Sequence, residues 1–243
     1  MRHSELLRLK IHLAESQLGQ ASDSIVHHVD VAQLYPQVLF RTHCVARASA
    51  PLMQAALDEA RRRVSDPVCA GICDYLVQHI VEEREHAAWI EEDFACLGTS
   101  AMELARRIPP ANIACAVGAH YYWIKHFHPV AVLGYIAVLE GAAPRLSWVE
   151  NLMARTKLPA QAFRTLKIHA LVDIEHATEL DALLDRLPLQ QVHHDLLRES
   201  AFLTIDALSR ELVDVVRRHE RDAARRRIPT TQDAVVDSGV RAR

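Results

Sequence analysis

Apolar residues recur at three- and four-residue intervals through nearly the whole chain, and no stretch alternates with period two for long. That pattern predicts helices and no sheet. Prolines punctuate it at helix-length intervals. Asp66-Pro67 reads as an N-cap followed by a first-turn proline, opening a helix that runs to Leu97 and stops at Gly98. Ser100 and Glu103 read as a capping box for a short helix ahead of Pro109-Pro110. The same periodicity predicts helices over 4–18, 36–64 (kinked at Pro51), 110–126, 129–140 with an extension toward 154, 159–186, and 190–225. From Pro229 the chain is polar and aperiodic. The expected organisation is one all-α domain over 1–228, a single bundle of about seven helices, followed by a disordered tail over 229–243.

Composition supports helix and narrows the partners. Only seven glycines occur in 243 residues, and Ala, Leu and Arg are abundant. A net charge of −3 and a pI near 6.6 offer no electrostatic reason to bind nucleic acid. The one basic run, RRHERDAARRR (217–227), is interrupted by Glu220 and Asp222 and reads as a solvated helix end. MRHSELLRLK at the start lacks the apolar core of a signal peptide. The longest apolar run, VAVLGYIAVL (130–139), is shorter than the ~20 residues that span a bilayer. Five cysteines without zinc-type spacing read as reduced, buried thiols. A soluble cytoplasmic chain that takes a small-molecule substrate, with no nucleic-acid or membrane partner, is expected.

Three segments set ionisable groups into apolar faces. In HALVDIEH (169–176), His169, Asp173 and His176 share one helical face with Leu166, Ala170, Leu180 and Leu183. In HIVEEREH (79–86), an unbroken helix puts His79 about 20° from His86 around the axis, with Glu82 and Glu83 to either side. In GYIAVLEG (134–141), Glu140 ends an apolar run and needs a cation or a raised pKa. Glu83–His86 and Asp173–His176 both have a carboxylate three residues before an imidazole, the spacing with which helical bundles build dinuclear carboxylate sites. With 15 histidines and 31 acidic residues, about two such pairs arise by chance, so the pairs alone prove little. A buried, unpaired aspartate costs several kcal/mol, and a metal is one of few partners able to offset that. The alternative for each histidine singly is a hydrogen-bonded core residue.

With these three segments in order, behind LYPQVLFRTHCVARASAPLMQAAL (34–57) and followed through HYYWIKHFHPVAVLGYIAVLEG (120–141), the chain resembles the haem-oxygenase-like diiron oxidases and oxygenases, a family of iron-containing redox enzymes. The resemblance covers most of the chain. It implies a haem-oxygenase-like bundle, a homodimer, and two iron ions (manganese being the other candidate) held by Glu83, His86, Glu140, His169, Asp173 and His176. Some members place the first acid seven residues before its histidine. Here that position is His79, so Glu83 takes the role by spacing, with Glu82 its rival and His79 a further ligand or a supporting residue. The implied chemistry uses O2 as co-substrate. A peroxo species on two ferrous ions would drive N-oxygenation, desaturation or carbon–carbon cleavage of an amino-acid-derived, fatty-acid or natural-product substrate.

His43 and Arg47, four apart on one helix, and Tyr122 and His126 are candidate substrate contacts; Arg47 could clamp a carboxylate. His27-His28 and His193-His194 read as surface residues. Two other functions stay open. A haem oxygenase would use His12, His27, His28 or His43 as axial ligand. A metal-free member of the thiaminase-like or quinone-cofactor-synthesis branch would line an organic pocket with the same acids and histidines. A ferritin-like topology is the structural alternative.

Overall fold

The structure, a computed structural model, describes residues 1–141 and 144–227, with the side chains of Val172, Asp173 and Ile174 outside the described set. The expected disordered tail, 229–243, also lies outside the described residues. Those described form eleven α-helices: α1 (His3–Ala14), α2 (Ser16–Val26), α3 (Val31–Arg62), α4 (Pro67–Glu83), α5 (His86–Ala95), α6 (Ala101–Ala105), α7 (Ala111–His126), α8 (Ala131–Gly141), α9 (Leu146–Thr156), α10 (Arg164–Arg186) and α11 (Gln191–Arg227). A 3-10 turn, Ala160–Phe163, leads into α10. No strand occurs among the described residues.

The all-α expectation holds, but about seven helices become eleven, because three expected helices divide and the short helix after Ser100 counts as one more. The first divides at Glu15, between α1 and α2. The second lapses over Arg84 and Glu85, between α4 and α5, where neither Gly nor Pro occurs and both residues keep right-handed helical backbone angles. The third divides into α8 and α9, with Pro144 ahead of α9 denying the helix a backbone N–H. The expected kink at Pro51 does not end α3, which runs through both Pro36 and Pro51.

Local signals are realised atom by atom. Asp66 Oδ1 accepts from the backbone N–H groups of Val68 and Cys69, with Pro67 in the first turn. The Ser100 hydroxyl accepts from Glu103 N while the Glu103 carboxylate accepts from Ser100 N. Gly98, at φ 80°, closes the chain past α5 in the left-handed region that glycine alone enters without strain.

Two large apolar clusters and a small third, around Ile25, Leu34 and Val215, fill the bundle. One joins α1, α4, α8 and the facing parts of α3, α10 and α11; the other gathers the first half of α3 with α5, α9 and Phe163. Val45 packs against both. A cavity of about 150 Å³ opens at their seam, bounded by Met53 and Ile136 from one cluster and Ile90 and Leu166 from the other. Gly134 lets α8 lie close on α11: a Cβ there would collide with the backbone oxygen of Leu197 and sit 2.8 Å from Ser200 Cβ. The glycine therefore marks a tight helix contact. No described helix is long and apolar enough to cross a membrane.

Candidate metal centre

The 150 Å³ cavity is where the ionisable segments meet. His79, Glu83, His86, Glu140 and His169 all line it. They arrive from four helices: α4 ends in His79, Glu82 and Glu83, α5 begins at His86, α8 ends near Glu140, and α10 carries His169 and His176. His79, His86 and Glu140 are buried, at 2%, 3% and 8% exposure. Asp173 falls between the two α10 histidines in sequence, and its side chain lies outside the described residues.

The donors pair across helices. His86 Nδ1 lies 3.0 Å from Glu83 Oε1, and its ring meets His169 edge-on at 4.6 Å. His79 Nδ1 lies 3.3 Å from Glu82 Oε2, which is also 3.6 Å from His176 Nε2; the His79 and His176 rings meet edge-on at 5.3 Å. His79 Nε2 approaches Glu140 Oε1 to 2.8 Å. Glu82 and Glu83, rivals for one role in sequence, thus face different imidazoles. Tyr75 stacks on His79 at 5.1 Å, with its hydroxyl buried and unpartnered.

Distance alone does not make these contacts hydrogen bonds. Neither oxygen of Glu140 has an aligned donor, and the Nδ1 atoms of His79, His86 and His176 are buried without a hydrogen-bond partner. Such groups cost about 1–3 kcal/mol each when left unsatisfied. Electrostatics agrees. Burial pushes the Glu140 carboxyl up despite His79 beside it. Burial also opposes charge on Glu83, yet the His86 imidazole, with His79 and His169 behind it, holds that carboxyl below its usual range. Burial disfavours charge on His79, but Glu140, Glu83 and Glu82 together raise its pKa. Imidazole and carboxylate donors without a thiolate suit iron or manganese. The set fits a dinuclear metal group.

Two other clusters bring comparable donors together and fail the same test. Asp66, Cys69 and His128 converge, as do His28, Asp30 and His219. In the first, His128 Nδ1 accepts the backbone N–H of Val130. In the second, His28 Nδ1 accepts that of Asp30. A neutral imidazole accepting at Nδ1 carries its proton on Nε2 and cannot also ligate there. His128 Nε2 instead faces Asp66 Oδ2 at 3.2 Å, tying the α4 cap to the turn before α8.

The candidate substrate contacts face other surroundings than the cavity. His43 is buried and faces Glu91 Oε1 at 3.1 Å, linking α3 to α5. Arg47 is exposed and lines a surface depression with Arg84 and Glu83. Tyr122 and His126 are exposed and pack on each other along α7. None of the four lines the 150 Å³ cavity. One surface expectation is corrected: His193 is 9% exposed and packs on the His128 ring; His194 is half-buried, with Nε2 2.9 Å from His3 Nδ1. The cysteines are also mixed, since Cys96 and Cys115 are exposed.

A larger chamber, about 680 Å³, adjoins the centre and shares Thr42, Val45, Leu139, Pro144 and Leu166 with it. Helices α2, α3, α9 and α11 wall it, mostly with apolar side chains. Its polar wall was not anticipated from the sequence. Arg41 Nε faces Glu211 Oε2 at 3.3 Å, and Glu211 Oε1 accepts from Asn112 Nδ2 at 2.9 Å. Glu211 stands in ALSRELVDVV, where Ser209, Arg210 and Asp214 interrupt the apolar pattern, so unlike Glu140 it carries no local signal.

Similarity to known structures follows this architecture. A domain of unknown function with a haem-oxygenase-like fold from Shewanella denitrificans is similar at TM-score 0.75 and 16% identity, over 90% of this chain and 94% of that one. A TenA homolog from Pseudomonas syringae pv. tomato is similar at 0.69 and 15%, over 88% and 92%. A CADD-like protein of unknown function from Nostoc punctiforme is similar at 0.64 and 15%, over 87% and 97%. No protein of curated function matches. The sequence itself matches the iron-containing redox enzymes over residues 24–209, most of the chain and all of the donors at the cavity. The chain has a haem-oxygenase-like fold and belongs to the iron-containing redox enzyme family.

Proposed function

We propose that the protein is a non-haem, dinuclear iron oxidase or oxygenase that uses O2 to oxidise a small substrate with an apolar body. The observation that carries this reading is Glu140, a buried carboxylate with no aligned donor on either oxygen, set among imidazoles whose Nδ1 atoms are equally unpartnered. Glu83, His86 and His169 would hold one ion, and His176 with His79 or Glu82 the other, with Glu140 beside both groups. Asp173 belongs to this set by sequence. Iron bound there supplies O2 reduction coupled to oxidation of a C–H bond or an amine nitrogen.

The rest of the work falls to the chain. The shared wall of Val45, Leu139 and Leu166 would hold the apolar body and shield the donors that line the cavity from bulk water. Arg41 and Glu211 neutralise each other, so the chamber suits an uncharged body better than a second ionic group. The test is anaerobic reconstitution with ferrous iron, followed by exposure to O2. The reading predicts bound iron and O2 uptake; protein that binds no iron and consumes no O2 overturns it.

The size of the 680 Å³ chamber beside the smaller centre favours one competing reading, a metal-free enzyme acting on an organic substrate. Glu140→Ala and His176→Ala separate the two. Loss of bound iron in both variants supports the metal reading; unchanged iron supports the organic pocket.

A further inference from the structure

We infer that Arg41 and Glu211 form a head-group subsite in the 680 Å³ chamber, for a substrate whose apolar body ends in an uncharged carboxamide, and that Glu211 excludes the corresponding carboxylate. The inference rests on the reading of that chamber as the substrate's place and adds which end group it selects. It does not depend on what the cavity holds.

The pair is buried on the chamber wall. Arg41 is 7% exposed and Glu211 1%, and both line the chamber. Neither lines the 150 Å³ cavity, and none of the residues that the two spaces share carries a charge. A ligand filling both spaces is therefore held by its polar end at the pair and offers its apolar part to the shared wall.

Hydrogen bonding defines what is left for a ligand. Glu211 Oε1 accepts from Asn112 Nδ2 at 2.9 Å, and Oε2 accepts from Arg41 Nε at 3.3 Å. Arg41 Nη1 donates to the Gln37 carbonyl at 2.9 Å and to its side-chain oxygen at 3.3 Å. Arg41 Nη2 makes no hydrogen bond among the described residues, although the side chain is more than nine-tenths buried. A guanidinium has donors to spare, and each carboxylate oxygen accepts more than one bond. A carboxamide answers both: its carbonyl oxygen accepts from Nη2 and its N–H donates to Glu211.

Charge excludes the ionic alternatives. The other ionisable residues on the chamber wall, Asp23 and Arg145, are exposed and opposite in sign, so the wall carries no formal net charge. A carboxylate reaching Arg41 would be desolvated beside Glu211 and bring it no donor. An ammonium would meet Arg41 in the same way and bring it no acceptor. Placing an unpaired charge against the wrong ligand is a common source of specificity.

The experiment is calorimetric titration of the full chain with decanamide, decanoate and decylamine, with chelator present so that no metal holds the carboxylate. Wild type is expected to bind decanamide most tightly. Glu211→Gln leaves Arg41 unneutralised and should raise the affinity for decanoate relative to decanamide by roughly tenfold or more. Arg41→Gln should do the same for decylamine. Either exchange leaves a buried charge unpaired, so the double variant Arg41→Met with Glu211→Leu removes both charges at once, a change that is often neutral or stabilising. It should melt like wild type or higher and bind decanamide roughly tenfold more weakly. A wild type that prefers decanoate or decylamine, affinity ratios unchanged in both single variants, or a double variant that binds decanamide as wild type does overturns the inference and leaves the iron reading standing. A wild type that binds none of the three overturns it together with the reading of the chamber.

Discussion

His79 on α4 and Glu140 on α8 stand 2.8 Å apart, buried, yet out of hydrogen-bonding alignment. A buried carboxyl group with no aligned donor carries its full desolvation cost, so Glu140 is a cost to the fold.

That cost predicts opposite effects of Glu140→Leu on the metal-free and metal-loaded protein. The substitution should stabilise chelator-treated protein by about 1–2 kcal/mol, because a desolvated carboxyl group is replaced by an apolar one. The rise in melting temperature on adding ferrous iron or Zn2+ should shrink or vanish. A variant that is less stable without metal and still gains the full wild-type increment would contradict both parts.

Gly134 and Gly118 should respond in opposite directions to alanine. At Gly134 a Cβ meets the backbone oxygen of Leu197, which cannot move aside as a flexible side chain would. The expected loss is about 1–3 kcal/mol in urea unfolding. Gly118 lies inside α7, and a Cβ added there would meet nothing within 4 Å, so alanine should gain about 0.4–1 kcal/mol from reduced chain entropy. Equal effects at the two sites would mean that α8 does not rest on α11 at this glycine.

His120 should contribute to acid sensitivity. It is fully buried on α7, with Nδ1 2.6 Å from Ala116 O and Nε2 near the hydroxyls of Ser200 and Thr204, and with the Trp123 and Tyr135 rings edge-on to it. Burial pushes its pKa below the ordinary 6.5, more than its hydrogen bonds raise it. A depressed histidine leaves the unfolded chain binding more protons, so its contribution is present above pH 6.5 and is lost as pH falls through the folded value. Stability should drop by up to about 1.4 kcal/mol per pH unit from this group. Urea unfolding of His120→Gln at about pH 7.5 and 5.5 should show a smaller drop than wild type; an identical drop would mean that His120 plays no part in acid sensitivity.

Much of this protein is legible locally. The Asp66-Pro67 start, the Ser100–Glu103 box and the Gly98 stop need only neighbours within a few residues, and each is found as its sequence implies. Glu140 is conspicuous because an acid ending an apolar run must be explained wherever the run packs. The division of the 67–97 helix has no such signal, since Arg84 and Glu85 are both good helix formers. The chamber wall is equally silent, because Arg41 and Glu211 are 170 residues apart and meet only when α3 packs on α11.

By itself, the sequence determined the helices, their caps and the three segments that carry imidazole and carboxylate, because these follow from local periodicity and from the cost of burying charge. Only the tertiary structure decided that Glu82 and Glu83 face different histidines, that His79 lines the same cavity as Glu83, His86 and Glu140, and that His43, Arg47, Tyr122 and His126 do not line it. Those outcomes depend on how α4, α5, α8 and α10 converge. Side-chain spacing along one helix does not encode where another helix crosses it.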